Sequence, residues 1–144
     1  MNPPPVVVDT NILVSGLITE NHLSPPCVIV DGMLRADFPF LLSVELLKEY
    51  RQVLLRPKIQ NLHKLSTVGI DTILEDLAAN AIFREQVAVN SQAPDENDQH
   101  LWMLLATTKQ AILITGDQLL LNNPPGFARV ISANSFLSMI NFGK

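Results

Sequence analysis

The sequence predicts an α/β fold, namely a three-layer α/β/α sandwich around a central, mostly parallel β-sheet. Short, continuous apolar runs alternate along the chain with segments whose apolar residues repeat at helical spacing. Each apolar run is bounded by polar or turn residues, which is typical of strands buried on both faces. Such alternation is expected to place helices on both faces of a parallel sheet.

Five strands are predicted in order from these runs: Val6–Val8, Pro39–Leu42, Gln86–Val89, Ala111–Thr115 and Arg129–Ile131. Six helices are predicted: one after Thr10, one over about Pro25–Arg35, one from Ser43 to before Pro57, one over about Thr67–Phe83, one over about Glu96–Lys109, and one beginning near Ala133. Ser43 is expected to cap its helix and Pro57 to end it, since serine favours the N-cap and proline disfavours a preceding helical residue.

Composition limits the class of protein. With 144 residues and 47% hydrophobic content, we expect a single domain over residues 1–144 with a substantial core. No apolar run approaches the roughly 20 residues that span a bilayer, and the N-terminus lacks the features of a secretory signal. The single cysteine, Cys27, excludes an intrachain disulfide and a cysteine-rich zinc site. We therefore expect a cytoplasmic protein that does not associate with a membrane.

Charge is distributed unevenly. The net charge of −4 argues against a general nucleic-acid coating protein. Five of the ten basic residues nevertheless fall within 17 positions: Lys48, Arg51, Arg56, Lys58 and Lys64. This cluster is either a solvated helix face or a local phosphate-binding edge. In the second interpretation, Lys48, Arg51, Arg56 and Lys58 are the candidate contacts to nucleic acid.

Acidic residues follow the predicted strands. Asp9 comes directly after the first strand, and Asp117 follows the fourth, while Asp95 and Asp98 open the helix that precedes the fourth strand. Ligands of open α/β sheets gather at the carboxyl ends of the strands. Asp9 and Asp117 are each interpreted equally well as a helix cap or as part of a site.

Asp98 is harder to explain as a cap. At 100° per residue it lies in the middle of the apolar stripe formed by Leu101, Trp102 and Leu105. Because a buried lone carboxylate is costly, a cation or hydrogen-bond donors should meet it.

The helix after Ser43 offers two further acids. Glu49 lies at the border of its apolar stripe, whereas Glu45 lies farther round toward solvent. Taken alone, Glu49 is also consistent with a surface acid. If Asp9, Glu49, Asp98 and Asp117 converge, their mutual repulsion calls for cations, and hard oxygen ligands suit Mg²⁺ or Mn²⁺. Such a site serves phosphodiester hydrolysis.

Five segments together resemble the PIN-domain family. They are VVVDTNILVSG (6–16), SVELLKEYRQVLLRPK (43–58), APDENDQHLWMLLA (93–106), ILITGDQLLL (112–121) and VISANSFLSMI (130–140). The resemblance is closest to the bacterial branch regarded as toxins of toxin–antitoxin pairs. It implies a compact α/β/α sandwich that acts as a metal-dependent ribonuclease on single-stranded RNA and often forms a homodimer, with a cognate antitoxin as a possible partner.

The resemblance also implies roles for individual residues. It places the four metal-binding, catalytic acids on Asp9, Glu49, Asp98 and Asp117, with Mg²⁺ or Mn²⁺ as the cofactor. Asn11 and Thr115 match residues that order the site. The sequence departs from the family pattern at Glu96, where relatives with this pattern commonly have proline after Asp95, and at Gln99 and His100, where many relatives carry another acid or amide. These departures leave the role of Asp95 open.

Two alternatives remain beside the ribonuclease. A catalytically weak PIN-like module that binds RNA or protein is consistent with the acidic balance and the small basic cluster. A phosphoryl-transfer or receiver-type α/β domain is disfavoured, because the first strand ends in one acid and not in an acidic pair. The hydrolase variant with an Asp-x-Asp motif is disfavoured because Asn11 occupies the second position. His22, His63 and His100 have no metal-ligand spacing, and His100 is predicted to lie on the surface, about 160° around the helix from Asp98.

Overall fold

The computed structural model describes residues 3–141, so the first two and last three residues of the predicted domain lie outside it. Its strands are β1 (Val6–Val8), β2 (Leu41–Leu42), β3 (Ile82–Phe83), β4 (Ile112–Ile114) and β5 (Arg129–Ile131). Its helices are α1 (Thr10–Ile18), α2 (Pro25–Leu34), α3 (Val44–Leu54), α4 (Pro57–His63), α5 (Thr67–Asn80), α6 (Gln99–Leu105), α7 (Gln118–Asn122) and α8 (Ala133–Asn141). A 3₁₀ turn, Glu96–Asp98, precedes α6. The predicted α/β/α class is confirmed.

All of the strand pairs among the described residues are parallel. β1 pairs with β4 and β4 with β5, while β2 pairs with β3. A single parallel bridge between Val6 and Phe40 joins the two groups, which gives the order β3-β2-β1-β4-β5. The strand order therefore reverses between β1 and β4. In a sheet of this kind, the crevice beside the carboxyl ends of those two strands is where ligands bind.

The core sits on both sides of the central strands. Val6–Val8 are fully buried, as are most of the residues of β4. Helix α6 packs against β1 and β4, and its Leu101, Trp102 and Leu105 are buried, as the predicted apolar stripe requires. This packing brings the start of α6 to the edge where β1 and β4 end.

The prediction of a strand at Gln86–Val89 was wrong, and the helix before it was predicted too long. Helix α5 ends at Asn80, and the chain then pairs with β2 through Ile82. The backbone nitrogen of Ile82 donates to Phe40 O at 2.8 Å, and this ladder replaces further helical bonds. Val87 makes one backbone bond, to Met103 O on α6, and forms no strand. Tertiary pairing with β2 thus decided the element boundary.

Pro57 ends one helix and opens the next. Helix α3 is capped by Ser43, as predicted, and ends at Leu54, after which Pro57 begins α4, a helix that the sequence pattern did not predict. Proline suits the first helical turn because the missing N–H has no partner there. His63 closes α4: its Nε2 lies 2.9 Å from Leu54 O, and its Nδ1 accepts from Leu65 N at 2.9 Å.

The helix predicted over Glu96–Lys109 is shorter than expected and has two parts. The 3₁₀ turn covers its first residues, and α6 ends at Leu105.

Among residues 3–141, no helix is both long enough and apolar enough to cross a bilayer.

Candidate active site

Asp9 follows β1 and is almost completely buried, with 6% of its surface exposed. Its Oδ1 accepts a hydrogen bond from Thr10 N at 2.8 Å, so Asp9 caps α1. Its Oδ2 accepts from Thr115 Oγ1 at 2.7 Å and from Asn11 Nδ2 at 3.2 Å. Burial raises the pKa of Asp9, as do the Glu49 and Asp117 carboxylates, while the Thr115 and Thr10 hydrogen bonds oppose that rise. The Asp9 carboxylate thus caps α1 with one oxygen and binds the polar side chains of Thr115 and Asn11 with the other.

Thr115 and Asn11 link the end of β1 to the turn after β4. The Thr115 hydroxyl accepts from Asp117 N at 3.0 Å while it donates to Asp9. The Asn11 amide oxygen accepts from Gly116 N at 3.0 Å. Asp117 is partly buried and caps α7 through Leu119 N at 2.9 Å. The hydrogen bonds of Thr115 and Asn11 therefore connect Asp9 with the turn that carries Asp117.

Glu49 reaches the same edge from α3, with 30% of its side chain exposed. Thr10 Oγ1 donates to Glu49 Oε2, and His100 Nε2 lies 3.3 Å from Glu49 Oε1. The hydrogen bond with His100, the hydroxyl of Thr10 and the charge of Arg56 hold the pKa of Glu49 below its ordinary value, against the opposing effect of burial. Glu49 is thus kept ionised at the border of the core.

Asp98 lies at the end of the 3₁₀ turn, directly before α6, and is partly buried. No hydrogen-bond donor among residues 3–141 meets its carboxylate, which also makes no cap bond to α6. Burial raises its pKa to about 6, and the neighbouring charges of Asp9, Asp95, Glu49 and Asp117 add to the rise. The predicted acids therefore lie near enough to repel one another, and we call them the acid cluster: Asp9, Glu49, Asp98 and Asp117.

Asp95 has a local task. It is exposed, and its Oδ1 accepts from Asn97 N at 2.9 Å, which caps the 3₁₀ turn. Its charge contributes to the raised pKa of Asp98. Asp95 therefore affects the acid cluster through its negative charge, whereas its hydrogen bond stabilises the 3₁₀ turn.

The contact of His100 with Glu49 was not predicted from the sequence. The His100 side chain is only 15% exposed and contacts Glu49, so the prediction of a surface position was wrong. That prediction assumed a continuous α-helix from Glu96, whereas the first residues form a 3₁₀ turn with about three residues per turn. The change of helix type rotates His100 relative to Asp98.

Two more residues of this region were not assigned a role from the sequence. Thr10 bonds both acids, through its backbone nitrogen to Asp9 and through its hydroxyl to Glu49. Tyr50 is fully buried, and its hydroxyl donates to Val8 O at the end of β1. Its pKa is raised well above the ordinary value by burial and by the charges of Asp9 and Glu49. Only the adjacency of these residues to Asp9 and Glu49 in the sequence pointed to them.

The basic residues predicted to contact nucleic acid differ in whether their side chains are already paired with an acid. Arg51 forms a two-point ion pair with Asp71, with Nε–Oδ1 at 2.8 Å and Nη2–Oδ2 at 3.3 Å. Lys48, Arg56 and Lys58 are exposed on or beside α3 and α4. Arg56 is the one whose charge lowers the pKa of Glu49, so it is the basic side chain that acts on the acid cluster.

The acid cluster has the donor atoms of a site for a hard divalent cation. Within residues 3–141, no three Asp, Glu, His or Cys side chains are already arranged to hold one. The donor chemistry nevertheless fits: carboxylate oxygens are the ligands that Mg²⁺ and Mn²⁺ take, and Asp98 has no other partner in the described residues. A bound cation would relieve the mutual repulsion that raises the pKa of Asp98.

Comparison with known proteins agrees with this architecture. The family model described as the PIN domain matches residues 5–119, about four fifths of the chain, and that range contains all four acids. The chain therefore belongs to the PIN-domain family, whose members are typically nucleases that use divalent metal ions. No protein of curated function matches the chain.

Proposed function

We propose that this protein is an endoribonuclease that uses Mg²⁺ or Mn²⁺ to hydrolyse phosphodiester bonds in single-stranded RNA. The observation that carries the proposal is the carboxylate of Asp98. It lies partly buried without a donor in the described residues, among the charges of Asp9, Glu49 and Asp117. A structural acid would have a hydrogen-bond partner or face solvent, whereas an acid in this position is suited to a cation.

Each acid has a task in this proposal. Asp9, Asp98 and Asp117 would hold the ion directly or through water, and Glu49 would complete the shell or orient the attacking water. The bound ion would supply a hydroxide nucleophile and positive charge beside the phosphate. Thr115 and Asn11 fix the position of Asp9 through their hydrogen bonds of 2.7 and 3.2 Å.

Glu49 carries its negative charge at neutral pH. His100 and Thr10 both contact its carboxylate, and its pKa lies below the ordinary value. An ionised carboxylate can bind a cation or accept a hydrogen bond from the attacking water, which supports a role in the metal shell or in orienting that water. On the outer side, Lys48, Arg56 and Lys58 would guide the phosphate backbone, while Arg51 is engaged by Asp71.

The cellular role belongs to the same proposal. We infer a cytoplasmic homodimer that acts as the toxin of a toxin–antitoxin pair, on the basis of the resemblance to that bacterial branch. A neighbouring gene for a small DNA-binding protein, partly overlapping this one, would support the role. Its absence would leave an orphan or housekeeping nuclease.

The test is RNA cleavage by purified protein with Mn²⁺. The wild type should produce fragments that a chelator abolishes, and Asp9→Asn and Asp98→Asn should each lose activity. Asp76→Asn, which changes an exposed aspartate on α5, is the matched control and should remain active. Activity that survives both site substitutions would contradict the assignment. Tight RNA binding without products, unaffected by a chelator, would favour a binding module.

A further inference from the structure

A cavity of about 500 Å³ opens beside the acid cluster. It lies between α1, the start of α2, the turn after β4, α7 and the start of α8. Asn11, Thr115 and Gly116 form one of its walls, and these residues also hold Asp9 and Asp117 in place. The cavity and the acid cluster therefore share Asn11, Thr115 and Gly116 as common neighbours.

Within the part of the chain that the structure describes, the lining of the cavity carries no charged side chain. Ile12, Pro25 and Pro26 give it apolar surface. Three polar side chains, Ser15, Gln118 and Asn134, also line it, are exposed, and have no side-chain hydrogen bond to any residue within 3–141. Neutral donors and acceptors thus stand beside apolar walls, with their hydrogen-bonding capacity free.

This chemistry selects the kind of ligand. A volume of about 500 Å³ falls within the range of small-molecule sites. A phosphate would find no cation among the described residues of the lining, and it would be repelled by the nearby charges of Asp9 and Asp117. A flat, neutral heterocycle with polar edges fits instead, because its faces can rest on apolar side chains while its edges bond to amides and hydroxyls.

We propose that this cavity binds one nucleobase of the RNA, next to the phosphodiester held at the acids, and so gives the nuclease a base preference. The inference rests on the proposed ribonuclease function. The shared wall supports it, because Asn11 donates to Asp9 at 3.2 Å and also lines the cavity. A single nucleotide can therefore place its base in the cavity and its phosphate at the acids.

Binding is tested first, without any cleavage. Metal-free protein is titrated with adenosine, inosine, cytidine and uridine while backbone amide NMR signals are recorded. We expect saturable shifts at Ser15, Gly116 and Asn134, with affinities that differ among the nucleosides. Absence of saturable shifts for all four nucleosides would overturn the inference.

A matched pair of variants locates the binding. Ser15→Leu places bulk in the cavity, and Ser138→Leu makes the same change at an exposed serine of α8 that does not line it. Ser15→Leu should remove the shifts, and Ser138→Leu should retain them. Because the Ser15 hydroxyl has no hydrogen bond within residues 3–141, folding should survive, as circular dichroism would verify. Asn134→Ala, which removes one free amide, should weaken the binding. Shifts that persist unchanged in both cavity variants would overturn the inference.

Cleavage then separates this inference from the proposed function. A random-sequence RNA is cut by the wild type and by Ser15→Leu with Mn²⁺, and the new ends are sequenced. We expect a base preference at one position beside the cut in the wild type, lost in Ser15→Leu and kept in Ser138→Leu. Absence of cleavage by the wild type would overturn the proposed function, while the nucleoside titration still decides the cavity. Cleavage with the same preference in all three proteins would overturn only the base-binding inference.

Discussion

The hydroxyl of Thr115 donates to the Asp9 carboxylate at 2.7 Å, across the gap between the ends of β1 and β4. The same oxygen accepts from the backbone nitrogen of Asp117 at 3.0 Å. Both strands end in fully buried residues, so this contact lies at the border between the core and the acid cluster. One buried hydroxyl thereby fixes the positions of two candidate metal-binding acids.

Removing that hydroxyl should destabilise the protein. Thr115→Val keeps the shape of the side chain but leaves Asp9 Oδ2 and Asp117 N without this partner. We expect a loss of about 1–3 kcal/mol in the free energy of unfolding, as for other buried groups that lose a hydrogen bond. Urea denaturation measures it. Thr72→Val, at an exposed threonine whose hydroxyl bonds Val68 O, should change stability by less than about 0.5 kcal/mol. Equal losses at both positions would contradict the role given to Thr115.

The contact between His100 and Glu49 should be visible as a titration. In His100→Leu the largest influence that lowers the pKa of Glu49 is gone, so that pKa should rise toward or above its ordinary value of 4.5. The carboxyl carbon of Glu49, followed by NMR against pH, reports the change. His22→Leu alters an exposed histidine and serves as the control. An unchanged Glu49 titration in His100→Leu would contradict the contact.

Asp98 should make stability fall as the pH rises. Its pKa is about 6 in the folded protein and 3.8 as an ordinary aspartate, so the folded state binds more protons between these values. Stability from this group is therefore present below about pH 4 and is lost as the pH rises through about 6. The difference in the free energy of unfolding between Asp98→Asn and the wild type should therefore shift in favour of the variant between pH 4 and pH 7.5. After allowance for solvent screening, we expect this shift to be on the order of 1 kcal/mol.

Urea denaturation at the two pH values checks this prediction. The matched substitution Asp76→Asn, at an exposed site on α5, measures any general effect of removing one negative charge. A gain of the same size in Asp76→Asn, or a loss of stability in Asp98→Asn at pH 7.5, would show that Asp98 is not held among like charges.

Arg56 should contribute to RNA affinity. Its charge acts on Glu49, and it is exposed at the start of α4. Arg56→Ala should weaken binding of single-stranded RNA to the Asp98→Asn protein and reduce the salt slope by about 0.7, the value for one lost phosphate contact. Arg35→Ala, at the far end of α2, is the control. Equal salt slopes for Arg56→Ala and the parent protein would remove Arg56 from the RNA path.

The sequence predicted most of the fold because its strongest patterns are local. Val6–Val8 and Arg129–Ile131 were placed correctly, and so was the Ser43 cap, since each depends on residues next to it. The strand near residue 82 was missed because Ile82 pairs with β2, some forty residues earlier in the chain. Pairing over that distance leaves no periodic trace in such a short segment.

The convergence of the candidate acids was predicted from the strand ends and from the apolar stripe beside Asp98, and their charges act together on the Asp98 pKa. Their metal-binding and catalytic roles stay predictions. The position of His100 could not be predicted in this way, because it depends on the 3₁₀ turn before α6. A turn of three residues is too short to produce a periodic pattern in the sequence. Thr10 was equally hidden, since its hydroxyl meets Glu49 from a different element, 39 positions away.

Calorimetric titration of metal-free protein with Mn²⁺ tests the central claim most directly, namely that the acids form one metal site. The wild type and Asp76→Asn should bind with the same affinity, and the stoichiometry gives one ion or two. Asp98→Asn should bind Mn²⁺ at least about tenfold more weakly, because the substitution removes the Asp98 carboxylate. That carboxylate has no hydrogen-bond donor among residues 3–141 and is therefore available to the ion. Equal Mn²⁺ affinity in Asp98→Asn and the wild type, or no saturable binding to the wild type, would contradict the claim.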